Sequence, residues 1–131
     1  MKVRFSIPGP PMAKQRPRLG KGGHVYTPTK TKVYEEICAL SYGSRYYFQE
    51  EYISIKILFK FEVPKSYSKK KKQDALDGKI RPSKADIDNY VKSILDALNN
   101  VAYKDDRRVC SIYAEKIFAD KSETIVEIES I

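Results

Sequence analysis

Two pairs of aspartates, Asp86 with Asp88 in "KADIDNYVK" and Asp105 with Asp106 in "KDDRR", gather carboxylates in a chain where Lys and Arg outnumber Asp and Glu by 25 to 17. Hard carboxylate oxygens suit Mg²⁺ or Mn²⁺, which keep several waters and bridge to a substrate phosphate. Crowded without a cation, the four carboxylates would repel one another. A metal relieves that repulsion, places a phosphate oxygen and lowers the pKa of an attacking water. Plainer readings stand beside this one. Asp86 at a helix start would cap free N–H groups and meet the helix dipole. Asp88 and Lys92 would form an ordinary i,i+4 pair, and "KDDRR" a charged turn.

The elements around these residues decide whether the pairs meet. Ile87, Tyr90, Val91, Ile94, Leu95 and Leu98 recur at helical spacing and predict a helix whose apolar face packs on a sheet. Asp88, Asn89, Lys92 and Asp96 then fall together on the other side, with Asp86 at or just before the first turn. A helix of roughly 13 residues is about 20 Å long, so Asp105 and Asp106 reach Asp86 and Asp88 only if "NNVAYKDD" doubles back along it. Val3, Phe5 and Ile7 alternate as a first strand, and Ile53 to Val63 as the clearest one. The Pro- and Gly-rich segment after Ile7 reads as an extended loop or hairpin. Val33, Ile37 and Leu40 mark a helix from about Thr29 to a stop at Gly43. "SYSKKKKQDALDGK" reads as a short helix closing near Gly78. "VCSIYAEKIF" and "ETIVEIES", joined by "ADKS", predict a closing β-hairpin.

At 131 residues the chain fits one domain, residues 1–131. A formal charge of +8 favours a polyanion such as nucleic acid. The basic residues form two tracts. Lys14, Arg16, Arg18 and Lys21 belong to an opening segment free of acids before Glu35, and Lys69, Lys70, Lys71 and Lys72 to a central run. Both suit phosphate contacts, although either alone also reads as a solvated surface. Tyr26, Tyr46, Tyr47 and Phe48 are candidates for stacking on unpaired bases, or for core and rim. His24 reads as a surface histidine. Cys38 and Cys110 are expected to be buried and reduced, without a disulfide framework or zinc site. No apolar run approaches the roughly 20 residues needed to span a bilayer, and no signal-peptide pattern precedes the first strand. The expectation is a soluble, cytoplasmic protein.

The order "KADIDNYVKSILDALNNVAYKDDRRV" resembles the signature of RusA-type Holliday junction resolvases, small endonucleases frequent in bacteria and their prophages. The opening "PGPPMAKQRPRLGKGGHVYTPTKTKVYEE" and the central "PKSYSKKKKQDALDGKIRPSKADIDN" resemble the longer-loop branch of that family. The resemblance covers most of the chain. It implies a Mg²⁺ site, with Mn²⁺ as substitute, built from Asp86, Asp88 and Asp106, with Lys92 as the essential lysine and Asp105 as the neighbouring acid. The choice of Asp106 over Asp105 follows from aligning the "DD" pair. The implied fold is a small α/β domain whose mixed sheet is packed by two main helices, working as a homodimer in the bacterial cytosol, associated with the nucleoid. The implied activity is paired symmetric nicking of four-way DNA junctions, leaving 5′-phosphate and 3′-hydroxyl ends, with no small-molecule cofactor. A catalytically idle branched-DNA-binding module and a hydrolase of small nucleotides are the alternatives.

Overall fold

The most regular apolar alternation in the chain, Ile53, Ile55, Ile57 and Phe59, becomes the buried face of an interior strand. The computed structural model describes residues 1–14, 18–23, 25–26 and 29–131. Its elements run β1 (Lys2–Pro8), β2 (Arg18–Leu19), β3 (Val25–Tyr26), α1 (Thr29–Tyr42), β4 (Ile53–Glu62), α2 (Lys69–Leu76), α3 (Ile87–Ala97), β5 (Val109–Ala119) and β6 (Glu123–Ser130). The main sheet has the order β1-β6-β4-β5, and β2 and β3 form a separate two-stranded ribbon. β4 runs parallel to β5 and antiparallel to β6, so the sheet is mixed. The fold is therefore the expected α/β arrangement.

One face of the sheet is covered and the other is open. Val3, Phe5 and Ile7 of β1, the alternate residues of β4, and Val126 and Ile128 of β6 join Tyr34, Cys38 and Tyr42 of α1 and Tyr90, Ile94 and Leu98 nearby in one core. The opposite face carries rows of charge, such as Arg4, Glu127 and Lys56 side by side in the register. Among the described residues, no helix is long and apolar enough to cross a membrane.

Three expectations need correction. β5 and β6 do not form a hairpin, because β4 lies between them and pairs with both. Local alternation marks a strand but not its neighbour, and the strand with the most apolar face takes one of the two interior places. The chain passes from Ala119 to Glu123 around the end of β4, where Val63 N–H donates to Ala119 O and Glu62 N–H to Ser122 Oγ. Four Cα steps of about 3.8 Å cover the two interstrand gaps of about 4.8 Å each. On α1 the buried face is Thr31, Tyr34, Cys38 and Tyr42, while Leu40 is 81% exposed. Two tyrosine rings bury more area than Val33 and Leu40 together offer, and they set the helix rotation. Finally, Cys38 is buried but Cys110 is exposed on β5.

Candidate active site

α3 starts where the backbone leaves a left-handed residue, Ala85 (φ 44°), and enters the N-cap Asp86 (φ −77°, ψ 139°). The Asp86 carboxylate accepts no capping hydrogen bond from the helix. Asp88 accepts one from its neighbour's backbone, Asn89 N–H to Asp88 Oδ1 at 2.9 Å. Lys92 pairs forward with Asp96 at 3.3 Å, not back with Asp88. Capping therefore does not explain the Asp86 carboxylate, and the i,i+4 pair expected of Asp88 is absent.

Beyond Leu98 the chain does double back. Asn100 takes a left-handed turn (φ 63°), its N–H donates to Tyr103 O at 2.7 Å, and the Tyr103 hydroxyl donates to Leu95 O at 2.8 Å. Tyr103 is fully buried beneath the helix, with its hydroxyl pKa held far up by that burial and, secondarily, by the charges of Asp106, Asp96 and Asp105. The return delivers Asp105 and Asp106 to the middle of α3. There Asp105 Oδ1 caps a 3-10 turn, Asp106–Arg108, by accepting Arg107 N–H at 2.9 Å. That hydrogen bond holds the Asp105 carboxyl below its usual range. Asp106 is pushed up, first by burial and then by Asp105 and Asp96, against which Lys92 acts in the other direction.

Asp88, Lys92 and Asp106 line one cleft of about 480 Å³ between α3 and β5. Its remaining walls are Ile87, Val91 and Leu95 of α3 with Ile112 and Ala114 of β5. The stripe 87, 88, 91, 92 and 95 faces this cleft, so the apolar side of α3 is divided. Tyr90, Ile94 and Leu98 enter the core, while Ile87 stays exposed and Val91 and Leu95 half-buried. That volume lies within the range of small-ligand sites and is twice that of the 240 Å³ depression on the open sheet face.

The donor set here is oxygen only, which matches a hard divalent cation. The Asp106 carboxyl is raised first by burial and then by the neighbouring charges of Asp105 and Asp96, and a cation would relieve that second part. Among the described residues, however, no three acidic, histidine or cysteine side chains already stand as one ligand group. Asp88 and Asp106 share the cleft, while Asp86 sits at the helix start outside its lining.

The basic candidates divide. Lys69, Lys70, Lys71 and Lys72 are exposed on α2, which Ser68 caps by accepting Lys71 N–H at 3.2 Å and which ends before left-handed Gly78. α2 packs on β5, where Tyr67 meets Phe118, the same strand that floors the cleft. Lys71 also lies 4.1 Å over the Tyr67 ring. Arg18 and Lys21 belong to the β2–β3 ribbon and its connection. Arg16 and His24 lie outside the described residues. Lys14 is turned inward: its ammonium meets Glu35 at 3.1 Å and Asp96 at 3.3 Å, and its N–H donates to Asn89 O at 2.9 Å. Phe48 is fully buried, as a stacking residue would not be, whereas Tyr46 and Tyr47 are exposed.

Comparison with known proteins fits this geometry. A sequence family described as Endodeoxyribonuclease RusA matches residues 8–129. The chain belongs to the RusA family. It is also 34% identical to the "Uncharacterized protein YqaN" of Bacillus subtilis (strain 168), over 98% of this chain and 96% of that protein. The RusA profile runs through both acidic pairs, the cleft and both basic tracts, and it places the chain among endodeoxyribonucleases. Three contributors escaped the sequence reading as site residues. Asp96 fell in the polar cluster, but its link to Lys14 spans a distance no local pattern encodes. Ile112 and Ala114 looked like ordinary members of an alternating strand.

Proposed function

We propose that the protein is a divalent-metal-dependent endonuclease that resolves four-way DNA junctions by paired symmetric nicks, with the α3–β5 cleft as its active site. The observation that carries the reading is the meeting of Asp88, Lys92 and Asp106 in one cleft of a RusA-family chain. Asp86, Asp88 and Asp106 are the proposed ligands of Mg²⁺, with Mn²⁺ as substitute. Bound there, such a cation supplies charge for a phosphate oxygen and acidity for a water.

The chain's own groups do the rest. Lys92, one turn from Asp88, offers its ammonium to the charge that gathers on the phosphate during in-line attack. Asp96 holds that ammonium until substrate arrives. Asp105 keeps Asp106 in place by capping the turn that carries it.

Lys69 to Lys72, with Arg16, Arg18 and Lys21, grip the junction arms through phosphate oxygens, which position without specifying sequence. Lys14 is left out of that set because its charge is met inside the fold. Each chain offers one acidic cluster and a junction needs two nicks, so a C2 homodimer is the proposed working form, acting on DNA in the bacterial cytosol.

A panel of labelled four-way junction, linear duplex and mononucleotide, each with and without Mg²⁺, tests this. Metal-dependent paired nicks in the junction, with duplex and mononucleotide intact, are expected. Binding to the junction without cleavage would instead mark a DNA-binding module, and release of phosphate from the mononucleotide a small-nucleotide hydrolase.

A further inference from the structure

In the proposed ligand set, the Asp86 carboxylate accepts no capping hydrogen bond from the helix N–H groups, whereas Asp88 accepts one from Asn89. The position of Asp86 depends on the backbone before it, and that backbone is unusual. Ala85 has φ 44°, a left-handed conformation in which an alanine Cβ crowds the carbonyl, so surrounding contacts must hold it.

Lys116 of β5 makes those contacts. Its ammonium donates to Ala85 O at 3.1 Å and to Lys84 O at 3.5 Å, the two carbonyls that immediately precede Asp86. The side chain lies on the helix-facing side of the sheet, since its register partner is the buried Phe59. On the same side and strand, Ala114 and Ile112 line the cleft. Among the described residues Lys116 has no carboxylate within ion-pair distance, whereas its neighbour Glu115 pairs with Arg81 at 3.3 Å. Arg81 also donates to Lys116 O at 3.4 Å, so β5 grips the segment before α3 at both ends.

We propose that Lys116 is a positioning residue for metal binding: by holding the Lys84 and Ala85 carbonyls it keeps Ala85 left-handed and fixes the backbone from which the Asp86 carboxylate, outside the cleft lining in this structure, reaches a metal at the cleft. The inference rests on the reading of Asp86 as a metal ligand. Outer partners of this kind commonly change metal affinity by about 10–100-fold when removed.

The test compares the native chain, Lys116→Met and Lys116→Met with Ala85→Gly. Methionine keeps the stem without the ammonium, and glycine takes a left-handed φ without a Cβ to crowd. Three quantities are read: Mn²⁺ affinity by titration calorimetry, amide exchange in the metal-free protein of Asn89, whose N–H is shared between Asp86 O at 3.1 Å and Asp88 Oδ1 at 2.9 Å, and the melting temperature. Lys116→Met is expected to weaken Mn²⁺ binding about 10-fold and speed Asn89 exchange. Ala85→Gly in that background is expected to restore most of both, while the melting temperatures stay close. Native Mn²⁺ affinity and exchange in Lys116→Met, or no recovery in the double variant, would overturn the inference. If the native chain bound no Mn²⁺, the metal reading of the site would fall with it, while Asn89 exchange would still report whether Lys116 holds the turn.

Discussion

Lys14 offers the sharpest separation between a phosphate contact and a structural tie. Its side chain is 19% exposed, and its ammonium lies between the side chains of Asp96, 21% exposed, and Glu35, 36% exposed. Burial alone would lower its pKa, yet the two carboxylates raise it above the ordinary lysine value, so their attraction outweighs the desolvation. A raised lysine pKa stabilises the fold at every pH below the unfolded value and loses that effect only as pH climbs through the folded one. The contribution is therefore complete at pH 7. Hydrogen bonds to charged groups are worth about 1.5–3 kcal/mol and exposed pairs about 0.2–1 kcal/mol. The two part-buried contacts, Glu35 at 3.1 Å and Asp96 at 3.3 Å, lie between these classes. Lys14→Met keeps the stem and relieves the ammonium's desolvation, leaving a net loss of about 1–2 kcal/mol. That corresponds to a melting temperature lower by about 4–8 °C. Junction affinity measured across salt concentrations supplies the second arm. A lysine on phosphate adds about 0.9 to the slope of log K against log salt, so Lys14→Met should keep the native slope while Lys70→Met loses about 0.9. An unchanged melting temperature with a reduced slope for Lys14→Met would refute the reasoning and return Lys14 to the DNA surface.

Asp106→Asn should separate stability from function. The Asp106 carboxyl is pushed up, so its folded-state pKa exceeds the unfolded one, and ionising it at neutral pH works against the metal-free fold. Without metal, the variant should melt above the native chain at pH 7, with the difference fading as pH falls below the carboxylate range, while cleavage is lost; a lower melting temperature at pH 7 would contradict this. Thiol labelling should find Cys110 accessible in the folded chain and Cys38, whose pKa burial pushes up to about 12, unreactive until unfolding. Equal labelling rates would show the two environments to be alike. Ile94→Ala, in the core under α3, should cost about 2–5 kcal/mol in urea denaturation, whereas Leu40→Ser on the exposed side of α1 should stay within about 0.5 kcal/mol. A reversed order would restore the Leu40 face of α1 to the core.

Much of this architecture was legible because single-face burial leaves a periodic trace. β1, β4 and α3 announce themselves through Val3–Ile7, Ile53–Phe59 and the Tyr90–Ile94–Leu98 spacing, and the acidic pairs are visible as composition. Pairing order is different in kind: nothing in "VCSIYAEKIF" says that β4 will stand between it and β6. The convergence of Asp88 with Asp106 depends on one left-handed asparagine and a buried tyrosine in the return loop, which a helical pattern does not foresee. The tasks of Lys14 and Lys116 were illegible for a related reason. A lysine's type is written in the sequence, but whether it meets solvent, Asp96 or the Ala85 carbonyl is fixed by elements distant along the chain.

The most direct measurement is cleavage of a labelled four-way junction by Asp88→Asn beside the native chain in Mg²⁺, with junction binding followed in parallel. The substitution removes one charge from the cleft and leaves its shape, so the variant should bind the junction at least as well as the native chain and produce no nicks. Native-level nicking by Asp88→Asn would contradict the assignment of the α3–β5 cleft as the active site.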